Sequence, residues 1–203
     1  MKHNKAGVSR FRIADNIRFE VRDKNGNIKP QFQESFFLKL LLKFGIISPK
    51  SNKLPSEPRD TKWYHFFLGS WNSYKMVSNL ITNAGAAGAA SRFNGAGSEA
   101  AFTYVAVGTG ATAANVADTT LQTELATSGL SRAAATCTRV TTDVTNDTAQ
   151  ESVTFTVTGT AAVTESGVFN AASSGVLASR QVFSAINVVN GDSLTITWKH
   201  DFD

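Results

Sequence analysis

Short runs of alternating apolar and polar residues constrain the fold of this chain more than any other feature. In Val153 to Val157, residues Val153, Phe155 and Val157 share one face and threonines occupy the other. This two-residue period is that of a strand with one buried face. Such runs recur about every ten residues with turn residues between them, a spacing that predicts an antiparallel β-sandwich. The runs span residues 102–107, 136–145, 153–157, 163–169, 177–183 and 194–198.

Three segments among these runs have a different character. The acidic residues and the Leu121/Leu125 spacing of Val116 to Leu125 predict one helical segment crossing between strands. The run from Ile81 to Ala101 consists almost wholly of small residues, which fits either a flexible spacer or close packing between subunits. Cys137 is flanked by threonines in a predicted strand, and we expect it to be a small core hydrophobe.

Composition changes near residue 80. Residues 1–80 hold 15 Lys and Arg against 6 Asp and Glu, whereas residues 81–203 hold 5 against 10. The second part contains 24 alanines and 21 threonines, while all four prolines fall at or before Pro58. The sequence thus predicts a mainly β protein of two regions. Residues 1–80 form a small α+β anchoring region, and residues 81–203 form the β-sandwich domain.

The basic region has two local signals of structure. Residues Ile17 to Val21 alternate and lead to Asn25-Gly26, which predicts a β-hairpin. Glu34 to Ile47 predicts a short helix that ends at Gly45, with two lysines on one face. Such a helix could bind a membrane surface. We favour burial against a neighbouring domain or subunit, because the helix is short and carries only two cations.

Aromatic and large apolar residues are dense on this helix and after the proline-rich loop from Ser48 to Asp60. Tryptophan and tyrosine are enriched at interface hot spots, so these residues predict an assembly interface. Base stacking with nucleic acid is disfavoured, because the basic residues are scattered and no nucleic-acid-binding motif occurs. The candidate interface residues are Phe36, Phe37, Leu40, Phe44, Trp63, Tyr64, Phe66, Phe67 and Trp71.

No motif for catalysis, cofactor binding or metal binding is recognisable, and we predict none of these sites. The single cysteine excludes an internal disulfide. Asp143, Asn146 and Asp147 could bind calcium at a turn, but their spacing is not that of an EF-hand and a solvated turn is favoured. Glu165 lies in an apolar context and needs a partner, for which Arg180 is preferred. We predict a structural ion pair there.

Two absences bear on targeting. No apolar stretch is long enough for a membrane-spanning helix. The first residues lack the apolar core and cleavage site of a secretory signal. We therefore expect neither a membrane-spanning helix nor a secretory signal.

Several segments from residue 80 onward together carry a family resemblance. The Val107-Gly-Thr-Gly110 turn, the Thr164-Glu-Ser-Gly-Val-Phe-Asn-Ala171 segment and the terminal Gly191-Asp-Ser-Leu-Thr-Ile-Thr-Trp198 strand occur in order. In this series, residues 80–202 resemble tailed-bacteriophage structural proteins, usually labelled tail-fibre-like, decoration or minor virion proteins. The resemblance implies a virion-associated β-domain and brings no catalytic motif.

The leading hypothesis is therefore a structural virion protein, made in the host cytoplasm, whose residues 1–80 attach it to capsid, collar or tail. Its partners would be other virion proteins and copies of itself, a trimer being one form that fits. Opposite charges on the two regions would favour contacts between copies. The alternative is a receptor- or glycan-binding module of a tail fibre. Such a module would need aromatic residues in the loops of residues 81–203, whereas most of them lie in residues 1–80. An enzyme such as a cell-wall hydrolase is a third hypothesis.

Overall fold

The computed structural model describes residues 13–44, 46 and 65–202. Strands account for most of the ordered elements, and three helices accompany them. The helices are α1 (Phe36–Lys43), α2 (His65–Leu68) and α3 (Asn83–Asn94). The strands are β1 (Ile13–Arg22), β2 (Ile28–Lys29), β3 (Gln31–Glu34), β4 (Gly69–Asn72), β5 (Lys75–Ser78), β6 (Leu80–Ile81), β7 (Tyr104–Gly108), β8 (Ala133–Ala134), β9 (Thr136–Val140), β10 (Thr148–Thr156), β11 (Ala161–Phe169), β12 (Leu177–Val188) and β13 (Ser193–Phe202).

Two antiparallel sheets form the body of the protein, which confirms the predicted mainly β fold. The six-stranded sheet has the order β2-β1-β13-β10-β9, with β5 beside β2 on the same edge of β1. The five-stranded sheet has the order β6-β12-β11-β7-β8. A separate pair, β3 and β4, lies outside both. The six runs predicted as strands correspond to β7, β9, β10, β11, β12 and β13.

One hydrophobic core lies between the two sheets. Alternate residues of each long strand point into it, as the two-residue period requires. From β13 these are Leu194, Ile196 and Trp198, all with no exposed surface. On β10 and β13 the other face carries polar side chains, among them Thr154, Thr195 and Thr197. Threonine suits that face because its β-branched side chain packs well on a pleated surface.

The strand β1 corrects the predicted division at residue 80. It pairs with β13 along its whole length, from Ile13 opposite Phe202 to Arg22 opposite Ser193. Its apolar residues Ile17, Phe19 and Val21 are fully buried in the core that the sandwich strands share. Composition therefore changes at residue 80, but the sheet and its core do not. The sandwich cannot be assigned to residues 81–203 alone.

Local predictions in the basic region are confirmed. The β1–β2 hairpin turns at Gly26, whose φ of +83° favours glycine. Asp23 steadies this turn by accepting hydrogen bonds from the backbone N–H groups of Asn25 and Asn27 at 2.8 and 2.9 Å. The predicted short helix is α1.

Residues 83–94 of the run of small residues form α3, so this part is not a flexible spacer, and close packing between subunits stays a prediction. The Thr82 hydroxyl caps its first turn by accepting a hydrogen bond from the Gly85 N–H at 2.9 Å. Gly95 ends the helix in the left-handed conformation. A Cβ at Gly85 would lie 2.1 Å from the carbonyl oxygen of Ala178. Glycine therefore lets the helix approach β12 closely.

The helix predicted at Val116 to Leu125 is wrong. This segment is a loop of turns and bends, with a single bridge between Glu124 and Gly108. Its backbone N–H groups at Gln122 and Thr123 bind a buried carboxylate instead of helical carbonyl groups. Tertiary hydrogen bonds thus replace the helical ones that the leucine spacing suggested.

Candidate assembly interface and buried polar clusters

An exposed aromatic surface covers the outer side of α1 and α2. Phe36, Leu40 and Phe44 are four residues apart, so they share one side of α1. Their exposed fractions are 82%, 38% and 67%, and Phe37 beside them is 55% exposed. Phe67 of α2 adds a ring that is 60% exposed. We call these five residues the aromatic surface.

The opposite side of α1 explains why the helix lies where it does. Leu38 is fully buried and packs with Phe32 and Leu68 in a small second core. Ser35 caps the helix, its hydroxyl accepting a hydrogen bond from the Leu38 N–H at 3.2 Å. Leu38 thus anchors one side of the helix, while Phe36, Leu40 and Phe44 on the other side are exposed.

The remaining candidate interface residues differ in outcome. Trp71 is partly buried against this second core, with its ring centroid 5.6 Å from that of Phe32. Trp71 therefore packs within the chain, and its place in an assembly interface stays a prediction. Trp63 and Tyr64 lie outside the described residues, as does the side chain of Phe66.

The β3–β4 unit with α1 is attached to the sandwich by a buried ionic cluster. Lys75 of β5 is 1% exposed, and its Nζ lies 2.7 Å from Oε1 of Glu34 at the end of β3. The hydroxyl of Ser184 on β12 contacts both groups. Burial lowers the pKa of Lys75 despite the nearby carboxylate. Burial opposes ionisation of Glu34, but the charge and hydrogen bond of Lys75 hold the pKa of Glu34 below its usual value.

Glu165 and Arg180, paired in the sequence analysis, form the ion pair expected of them. Arg180 donates from Nε and Nη2 to Oε2 of Glu165 at 3.0 and 2.8 Å. Glu165 is fully buried and also accepts backbone hydrogen bonds from Gly110, Gln122 and Thr123 at 2.7–3.0 Å. Five donors satisfy this carboxylate, so it orders the loop after β7.

The glycines of the 107–110 turn are explained by the same carboxylate. A Cβ added at Gly108 or at Gly110 would lie 2.5 Å from Oε1 of Glu165. At Gly108 it would also lie 2.5 Å from the carbonyl oxygen of Thr123. The turn and the Glu165 segment, two parts of the quoted resemblance, therefore form one packed unit.

Arg132 forms a second clamp that the sequence analysis missed. It donates to both carboxylate oxygens of Glu124 at 2.9 and 2.7 Å, a bidentate arrangement. It also donates to the carbonyl groups of Ala171 and Ser174 at 2.9 and 2.7 Å. Its guanidinium lies 3.5 Å from the ring centroid of Phe169. The two carbonyl partners lie 39 and 42 residues away in sequence, so no local pattern indicates the whole arrangement.

His200 joins the two sheets through hydrogen bonds. Its Nδ1 lies 3.1 Å from Oε2 of Glu151 on β10, and its Nε2 lies 2.9 Å from Oγ of Ser179 on β12. This order of groups is that of a serine nucleophile with its base. Ser179, however, is 0% exposed, so its hydroxyl does not meet a substrate in this arrangement. The geometry supports a structural role, in which His200 connects β13 to β10 and β12 through hydrogen bonds.

The histidine lines a cavity of about 630 Å³ between α3 and the strands β9, β10, β12 and β13. Cys137 also lines this cavity and is exposed, so the expectation that it is a core residue is wrong. Its strand lies at the edge of the sheet, where the inward face meets the cavity and not the core. Burial, and then the charge of Glu151, raise the pKa of the Cys137 thiol.

The Asp143–Asp147 turn is held by its own backbone. The Asp147 carboxylate accepts hydrogen bonds from the N–H groups of Thr142, Asp143 and Val144 at 2.6–2.9 Å. Across the described part of the chain, no group of three or more metal-ligating side chains comes together. None of its helices is both long and apolar enough to cross a membrane.

Comparisons with protein-family models, with curated proteins and with solved structures gave no match to this chain.

Proposed function

We propose that this chain is a structural protein of a tailed-phage virion that attaches to its neighbours through the aromatic surface. The observation that carries the proposal is the row Phe36, Leu40 and Phe44, exposed beside Phe37 and Phe67. Contiguous exposed apolar surface of this kind marks interaction sites in soluble proteins. The resemblance of residues 80–202 to virion proteins supplies the kind of partner.

The arrangement of the molecule suits such a role. The ionic cluster of Lys75, Glu34 and Ser184 fixes the unit that bears the aromatic surface to the sandwich. A partner bound at α1 would therefore be held rigidly relative to the two sheets. The partners of this chain would be capsid, collar or tail proteins. Further copies of the chain would also bind, which gives a homo-oligomer within the virion.

The test removes apolar character from the aromatic surface without touching a core. In the variant with Phe36→Glu and Phe44→Glu, we expect loss of self-association in sedimentation velocity and loss of incorporation into virus particles, measured by mass spectrometry. Phe93→Glu is the matched control, since Phe93 on α3 is 94% exposed and lies outside the aromatic surface. A wild-type chain that stays monomeric and is absent from purified particles would overturn the proposal.

A further inference from the structure

A second surface, unrelated to the aromatic one, lies on the outer face of the six-stranded sheet. The strand register places polar residues side by side across it: Gln150 of β10 is opposite Lys199 of β13, and Lys199 is opposite Asn16 of β1. Beside this row the surface forms a hollow of about 450 Å³, which Arg18 and Tyr74 also line. We call it the sheet hollow.

The polar groups of the sheet hollow retain capacity for hydrogen bonds. No hydrogen bond joins the Asn16 or Lys199 side chain to another described residue. Gln150 donates from Nε2 to Thr138 at 3.3 Å, which leaves its carbonyl oxygen as an acceptor. Asp201 accepts from Thr148 at one oxygen only, at 3.1 Å. Donors and acceptors therefore alternate over a short distance, as a ligand rich in hydroxyl groups requires.

An aromatic ring completes the sheet hollow. Tyr74 is 38% exposed, and the guanidinium of Arg18 lies 4.4 Å from its ring centroid. The arginine packs on the ring, while part of the residue faces solvent. An exposed apolar ring beside polar groups matches a pyranose, which has a C–H face and a rim of hydroxyl groups.

The charges of the sheet hollow favour a neutral ligand. Arg18 is paired with Glu20 at 3.1 Å. Lys199 and Asp201 are two residues apart on one strand, so they share a face and offset each other. A protein partner is disfavoured, because interface cores need apolar anchors and this face offers only Tyr74 and Met76.

We infer that the sheet hollow is a binding site for a neutral oligosaccharide. Asn16, Arg18 and Tyr74 all precede residue 80, and they reach the site because β1 and β5 belong to the same sheet as β10 and β13. The concentration of aromatic residues in residues 1–80 is therefore no argument against glycan binding at this surface. This inference does not depend on the aromatic surface or on attachment to a virion.

The experiment uses the full chain on a printed array of neutral and acidic bacterial and mammalian oligosaccharides. Multivalent display makes weak single-site binding visible. The strongest neutral oligosaccharide is then titrated by calorimetry. We expect Tyr74→Ala and Gln150→Ala each to weaken binding by about tenfold, the effect of losing one packed ring or one hydrogen bond.

Thr154→Ala is the matched control, because Thr154 lies on the same outer face but not in the sheet hollow. Its affinity should stay within about twofold of wild type. Three results would each overturn the inference: no binding to any neutral glycan, binding unchanged in Tyr74→Ala, or binding restricted to acidic glycans. Circular dichroism and thermal unfolding of each variant separate loss of the site from loss of the fold.

Discussion

Arg180 donates two hydrogen bonds to the fully buried carboxylate of Glu165, and its third nitrogen lies 2.7 Å from Asp118 in the loop after β7. A single arginine thus connects strand β12 to the neighbouring strand β11 and to the loop after β7. Arg180 and Glu165 together therefore hold this loop against the sheet.

Replacement of Arg180 by methionine should destabilise the protein strongly. The substitution keeps much of the side-chain volume but leaves the charge of Glu165 buried without its guanidinium partner. Such a loss costs about 3–5 kcal/mol. The free energy of unfolding in urea measures it. Arg22→Gln, which breaks an exposed pair with Glu20, should cost about 0–1 kcal/mol. Equal losses in the two variants would refute a special role for Arg180.

A chain restricted to residues 81–203 should not fold cooperatively. It lacks β1, whose Ile17, Phe19 and Val21 are fully buried in the shared core. Each such side chain contributes about 1.5–3 kcal/mol, against a total stability of about 5–15 kcal/mol. Thermal unfolding followed by circular dichroism tests this, with the full chain as control. A sharp transition in the fragment would restore the division that composition suggested.

Two glycines of α3 should respond differently to alanine. In a free helix the exchange would stabilise by about 0.5–1 kcal/mol. At Gly85 the new Cβ would meet the backbone of Ala178 at 2.1 Å, so α3 would have to move away from β12. At Gly88 it would meet the side chain of Phe102 at 2.5 Å, which can shift. The melting temperature should therefore fall more for Gly85→Ala than for Gly88→Ala. The reverse order would contradict the packing described.

The Asp147 turn should make stability depend on pH in the acid range. Hydrogen bonds from the backbone of Val144, and then from Thr142 and Asp143, hold the pKa of Asp147 well below its usual value. The carboxylate therefore stabilises the fold above the unfolded-state pKa of about 3.9, and this contribution is lost as pH falls below it.

Asp147→Asn should flatten this acid limb of the melting temperature, measured from about pH 6 to about pH 2. Asp143→Asn is the control, because the Asp143 carboxylate accepts no hydrogen bond from the described residues. An unchanged acid limb in Asp147→Asn, or an equal flattening in both variants, would show that the turn is not the source.

Local patterns predicted local structure well. The strands β10 and β13 and the Gly26 hairpin follow from alternation and turn residues, which act over a few positions. The pairing of Glu165 with Arg180 could also be predicted, because a carboxylate in an apolar run needs a cation and few arginines are available. These inferences needed no knowledge of distant partners.

Contacts between residues far apart in the sequence could not be predicted from local patterns. Alternation in β1 predicts a strand but does not predict that its partner is β13. The change of composition near residue 80 suggested instead that the two strands belong to separate regions. The segment at Gln122 and Thr123 has a helical spacing, yet its N–H groups are taken by Glu165. The sheet hollow is likewise invisible before β1, β10 and β13 are placed side by side. Each failure reflects contacts between residues far apart along the chain.

The pairing of β1 with β13 also sets an order of events during synthesis. The first described strand has its long partner only when residues 193–202 have left the ribosome, since β13 separates β1 from β10. Contacts of such long sequence separation slow folding. Until then β1 has only the short strands β2 and β5 as partners in its sheet. The six-stranded sheet therefore cannot be completed before β13 is available, and removal of residues 193–202 should destabilise β1 as well.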